Sequence, residues 1–163
     1  MTLEELEKKV LELEKRVQAS EDMEAIKKLH REFVHRMNDP KTGDGSGTRN
    51  LDSFTEDAVI NIWHHGIRRG KKEIEEQARN VLSKLTKTAS DALIQPVITV
   101  DGDKASGYWS LFIFVPGVTI PSGKSLLKWE IGRLQAEYRK VDGEWKISYL
   151  KLTRPYPPLN DEK

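Results

Sequence analysis

PVITVDGDKASGYW, residues 96–109, is the stretch on which the reading of the fold turns. Two runs rich in β-branched and aromatic residues flank Asp101-Gly102-Asp103. A glycine between two aspartates suits the positive φ of a tight hairpin turn. The stretch therefore predicts two antiparallel strands, LIQPVITV and KASGYWSLFIFV. The same pattern returns at YRKVDGEWKI, residues 138–147. There Asp142-Gly143 joins LLKWEIGRLQAEYRKV to EWKISYLKLTR as a second hairpin, after a long Pro/Gly loop, VPGVTIPSGKS. Further toward the N-terminus, AVINIWHH reads as another strand. Gly70 to Leu85 reads as a helix with Ile74, Ala78, Val81, Leu82 and Leu85 on one face.

The first forty residues read as helical. Leu3, Leu6, Val10, Leu13 and Val17 follow the 3-4-3-4 spacing of a coiled-coil seam. Thr2 with Glu5 fits a capping box. Ser20, followed by Glu21 and Asp22, has the look of a fresh N-cap, so a helix break is expected there. A second stripe follows at Met23, Ile26, Leu29, Phe33 and Met37. DPKTGDGSGTRN, residues 39–50, is a loop: Pro40 stops the helix and three glycines keep the chain irregular. It lacks the G-K-[ST] ending of a phosphate-binding loop. The expected organisation is an amphipathic helix over 1–19 with a possible role in oligomerisation, a domain over 20–153 and a tail over 154–163. Helices first and a long-stranded antiparallel sheet after them make the class α+β.

Composition narrows the function classes. At 163 residues the chain suits one domain with a real core. Lysine plus arginine (27) nearly cancel aspartate plus glutamate (26), and the two signs are interleaved. That balance gives no electrostatic reason to expect nucleic acid or an anionic membrane as partner. The absence of cysteine excludes disulfides and thiolate chemistry and is easiest to reconcile with a reducing cytoplasm. MTLEELEKKV carries charge every few residues and so does not read as a secretory signal.

Phe54–Val59 (F-x-x-D-A-V), Gly70–Ile74 (G-x-x-x-I), Pro96–Trp109 and Tyr138–Ile147 come in a distinctive order and spacing. Together they resemble the SnoaL-like branch of the nuclear-transport-factor-2-like superfamily over residues 22–152. The resemblance implies a cone: a strongly bent antiparallel sheet wrapped around the N-terminal helices, with a deep pocket at one end. Members include scytalone dehydratase, bile acid dehydratase, ketosteroid isomerase, polyketide cyclases and a dehydrochlorinase. Their shared chemistry is proton abstraction beside a carbonyl or leaving group, generally without metal or organic cofactor. Burial suits that work by moving carboxylate and imidazole pKa values toward neutrality.

The resemblance also directs attention to particular positions. It implies a pocket face bearing Ile60, Ile62 and His64, with Phe33, Trp109, Leu111, Ile113 and Leu134 as further lining. Phe33 stands where the dehydratases commonly carry a tyrosine, and Asn38 where they carry an acid. Asp39 could serve if the register slips by one. Asp91 stands near a position where a histidine is common, Trp109 near another, and Ile62 replaces a ligand-contacting tyrosine. The familiar dehydratase constellation is thus missing. The remaining polar candidates are Asp91, His64 and Asn38, with His35, Tyr108 and Arg133 behind them. Asp91 reads equally as a desolvated base and as a solvent-facing loop acid. His64 and His65 are adjacent in a strand, so their side chains diverge and cannot readily hold one metal ion. No metal site is expected.

Two readings stay open. One is a cofactor-independent lyase, isomerase or cyclase acting on a hydrophobic, ring-containing small molecule, with Asp91 as base and His64 or Asn38 polarising the substrate. The other is a binding protein that keeps the pocket without the catalysis. A homodimer or homotrimer is expected in either case. A third, weaker reading makes the N-terminal helix an interaction element in its own right.

Overall fold

The computed structural model describes residues 1–38, 48–62, 66–79, 90–119 and 125–153, with side chains described outside 37–38, 48–49, 90–91, 114–119 and 125–130. The first helix, α1 (Leu3–Asn38), runs unbroken for 36 residues. It opens on the expected capping box: the Glu5 amide donates to Thr2 Oγ1 at 3.2 Å and the Thr2 amide to Glu5 Oε2 at 2.7 Å. The break expected at Ser20 does not occur. Asp22, one of the two acids that made Ser20 look like a cap, instead spends its carboxylate on distant strands. Trp145 Nε1 donates to Asp22 Oδ1 at 2.9 Å, and Lys140 Nζ lies 2.7 Å from the same oxygen.

A 3-10 turn (Thr48–Ser53) leads into β1 (Phe54–Ile62), β2 (Gly66–Arg69) and the short helix α2 (Gly70–Gln77). Then come β3 (Ser90–Asp101), β4 (Lys104–Thr119), β5 (Ser125–Val141) and β6 (Glu144–Thr153). The six strands form one sheet in the order β2-β1-β6-β5-β4-β3. Both predicted hairpins are present. Asp142 and Gly143 both take positive φ (51° and 81°), the pattern of a type I′ turn. Four of the five strand pairings are antiparallel, but β1 runs parallel to β6, so the sheet is mixed rather than wholly antiparallel. The reason is connectivity. β1 and β6 are remote in sequence and need no tight turn to join them.

Register shifts interrupt β3 between Ile94 and Val97, β4 between Val115 and Val118, and β5 between Glu137 and Tyr138. Gln95, in the first of these, takes a φ of 52° ahead of Pro96. Bulges of this kind bend and twist a sheet. They let this one curl around α1, as the cone requires. Alternation sorts the strands by face. Ala58, Ile60 and Ile62 of β1, Ala105, Trp109 and Leu111 of β4, and Leu134, Ala136 and Tyr138 of β5 are buried. Tyr108 and Arg133, one residue out of phase, are exposed. Ile26, Leu29 and Phe33 close the core from the helix side. Among the described residues no helix is long and apolar enough to cross a membrane.

Candidate functional site

The inner face of the cone is built from side chains that the strand alternation turns toward α1. Ile60, Ile62, Trp109 and Leu134 belong to one buried cluster, with Phe33 packed against it. Leu111 is also buried, and Ile113 is half-buried. Asn38 is the last residue of α1, and Asp91 sits in β3 opposite Ile113. The side chains of both fall outside the described residues, as do His64, His65, Trp63 and Asp39 altogether. His35 is exposed on α1.

The polar centre of the interior is a residue the sequence reading passed over. His30 is only 1% exposed and faces inward one turn after Ile26. Its Nε2 lies 2.6 Å from the Tyr138 hydroxyl, and Trp109 Nε1 donates to that hydroxyl at 3.1 Å. The imidazole also lies over Trp109, with ring centroids 4.6 Å apart, and meets Tyr138 edge-on at 5.5 Å. Gly107 makes the cluster possible: a Cβ there would come within 3.2 Å of the Tyr138 hydroxyl and 3.4 Å of Trp109 Nε1.

This chain of hydrogen bonds has a direction. The indole can only donate, so the Tyr138 oxygen accepts from Trp109. Among the described residues the only other partner of the Tyr138 hydroxyl is His30 Nε2, so the phenol proton goes there. His30 is then the tautomer with its proton on Nδ1. Burial pushes its pKa from 6.5 down to about 3, so it stays neutral near pH 7. Burial also raises the Tyr138 phenol despite the Trp109 hydrogen bond, which keeps it protonated. With that assignment the cluster offers one neutral N–H donor, and Nδ1 has no partner among the described residues. A buried donor left unpaired costs about 1–3 kcal/mol, so a ligand oxygen or a water placed there is favoured.

A different buried polar group lies nearer the N-terminal end of the inner face. Asp22 is the one buried acid among the described residues. Burial pushes its carboxyl up, but hydrogen bonds from Lys140, Trp145 and Gln18 outweigh this and hold it below the usual range. Lys140 Nζ also stands 5.0 Å from the centre of the Trp145 ring. The outer face of the sheet carries a separate open groove of about 580 Å³ beside the Asp57–Arg139 ion pair. Tyr138 contributes to its lining; His30 and Trp109 do not.

His30 was legible in principle. It falls four residues after Ile26 and three before Phe33, inside the apolar stripe, where a polar residue stands out. Tyr138 follows Leu134 and Ala136 at the two-residue period of an inward strand face.

The SnoaL-like domain family matches residues 18–151 of the chain. No curated protein matches it. Among solved structures, it is similar to an NTF2-like protein with a cystatin-like fold from Novosphingobium aromaticivorans. The identity is 16%, 88% of each chain is covered and the TM-score is 0.70. It is also similar to an NTF2-like protein of unknown function from Pseudomonas putida KT2440, at 16% identity over 86% of this chain and 92% of that one, with a TM-score of 0.68. A type 2 hexachlorocyclohexane dehydrochlorinase gives 22% identity over 83% and 86% of the two chains, with a TM-score of 0.64. At these identities the likenesses establish the fold.

Proposed function

The chain belongs to the SnoaL-like domain family, and from that premise we propose that its cone takes up a hydrophobic, ring-containing small molecule and acts on it without a cofactor, as a lyase, isomerase or cyclase. The observation that carries this reading is the unpartnered Nδ1 of His30 among buried apolar side chains, to which the hydrogen-bond order assigns a proton. A ligand carbonyl or hydroxyl oxygen accepts that proton while its rings lie against Trp109, Phe33 and Leu134. In proton abstraction beside a carbonyl, negative charge grows on the oxygen, and a fixed neutral donor stabilises it. His30 is too weakly basic to take the proton itself at neutral pH. Asp91 is assigned that role, with Asn38 and His64 as further contacts to the substrate. The setting we propose is cytoplasmic, with nucleic acid and membrane playing no part.

A binding protein without catalysis is the second reading. It is favoured by Phe33 and Ile62, which stand where hydrogen-bonding tyrosines are common, and by the low basicity of His30. One experiment separates the two. Aromatic ketones and ring-bearing polyketide-like compounds are titrated against Trp109 fluorescence, and turnover is followed for those that bind. The enzyme reading expects Asp91→Asn to bind as the parent does and to lose turnover by at least about a hundredfold, the usual scale for a general base. Unchanged turnover would remove Asp91 from the mechanism. Binding with no turnover in any variant would leave the binding protein.

A further inference from the structure

The first half of α1 leaves its apolar side chains exposed. Leu3, Leu6, Val10, Leu13 and Val17 are 73%, 43%, 43%, 55% and 55% exposed. Val10, Leu13 and Val17, with Glu14, Gln18 and Glu21, border a shallow groove on the helix surface. The helix is nonetheless continuous into the cone, where Asp22 fastens it to β5 and β6.

Heptad letters make the pattern around the seam explicit. With Leu3 at a, the a positions hold Leu3, Val10 and Val17 and the d positions hold Leu6 and Leu13. Valine at a with leucine at d favours two strands over three. The flanks are segregated by charge: Glu7, Glu14 and Glu21 occupy e, while Lys9 and Arg16 occupy g. In a parallel pair, each g residue faces the e′ residue of the following heptad on the other helix. Lys9 then meets Glu14 of the second copy, and Arg16 meets Glu21, on both sides of the seam. In an antiparallel pair g faces g and e faces e, which sets lysine and arginine against themselves and glutamate against glutamate. Leu11 falls at b, beside the seam.

We propose that residues 3–21 form a parallel, in-register, two-stranded coiled coil with a second copy of this chain. The geometry of α1 allows it without a clash. At about 100° per residue, the seam lies roughly 170° around the helix from the face that carries Ile26, His30 and Phe33 into the cone. The second helix therefore arrives from the side away from the sheet, and the two cones point outward from a shared stalk. So short a seam suffices because the cone already holds the C-terminal end of the helix folded. The unfavourable nucleation step is then not part of association.

The test uses the full chain. Sedimentation should find a dimer. The double variant Lys9→Glu/Arg16→Glu should dissociate at least about tenfold more readily, since four attractive contacts become repulsive. Adding Glu14→Lys/Glu21→Lys to it should restore the dimer, and an unchanged melting temperature of the monomer reports that the cone is intact. Because the chain has no cysteine, single substitutions report orientation. Val17→Cys should form a disulfide with its own copy, and Leu3→Cys likewise. A monomeric or trimeric parent, or a dimer indifferent to Lys9→Glu/Arg16→Glu, would overturn the proposal. So would cross-linking that occurs only when Leu3→Cys and Val17→Cys chains are mixed.

Discussion

Two polar clusters hang from the same helix, eight residues apart, and they solve burial differently. Each combines one α1 side chain, one β5 side chain and an indole N–H. In the Asp22 cluster the carboxylate accepts from both Lys140 and Trp145, so charge meets charge. In the His30 cluster all three members are neutral, and the line of hydrogen bonds ends on an Nδ1–H that points at no partner. The first is a closed fastening between helix and hairpin. The second has a donor left over. Depth of burial does not separate the two clusters; completeness of pairing does.

The largest test of this contrast is Asp22→Ala. It leaves Lys140 and the Trp145 N–H without their acceptor, and we expect a loss of about 3 kcal/mol in urea unfolding. A loss below about 1 kcal/mol would mean that the cluster is only a surface ion pair. Acid titration comes next and addresses the neutral cluster. Unfolded His30 takes up a proton as pH falls through 6.5, whereas the folded side chain resists until about 3. Its contribution is full above pH 6.5 and is lost as pH falls. The slope reaches about 1.4 kcal/mol per pH unit. The Asp22 carboxyl is lowered instead, so its contribution fades only below its ordinary value of 3.8. Between pH 6 and about 4 the slope should therefore flatten in His30→Phe and persist in Asp22→Asn. A parent with no slope there would show that His30 titrates normally.

Tyr138→Phe should cost about 1–2 kcal/mol, because it strands the Trp109 N–H and takes the proton from His30 Nε2. It should also free the His30 tautomer, which imidazole nitrogen chemical shifts would register; unchanged shifts would contradict the assigned proton order. The smallest effect is expected at Lys27→Ala. Its ion pair with Glu24 is 2.6 Å long but lies on the solvent side of the helix between the two clusters, so less than about 0.5 kcal/mol should be lost.

Local chemistry made much of the fold readable. Asp142-Gly143 announced its own hairpin, and Thr2 and Glu5 their capping box. Where reading failed, a distant partner had overridden a local signal. Ser20-Glu21-Asp22 looks like a helix start, but Asp22 is needed by Trp145 on the last strand, and no neighbour in sequence says so. The parallel β1–β6 pairing is equally non-local. The role of His30 is non-local too, because its partners, Trp109 and Tyr138, come together only when β4 pairs with β5.

That parallel pairing also sets an order of events in time. Ile60 pairs with Leu150 and Ile62 with Leu152, so β1 has no inner neighbour until almost the whole chain is present. The β3–β4 and β5–β6 hairpins close across tight turns and carry little loop-closure entropy, whereas joining β1 to β6 carries a great deal. The central strands should therefore assemble first and β1, with β2 at its edge, should dock last. Pulse-labelled hydrogen exchange during refolding should find amides of β4 and β5 protected before those of Ala58 and Ile60; the opposite order would refute it. On a ribosome the same arithmetic leaves β1 waiting, its inner edge unpaired, until β6 has emerged.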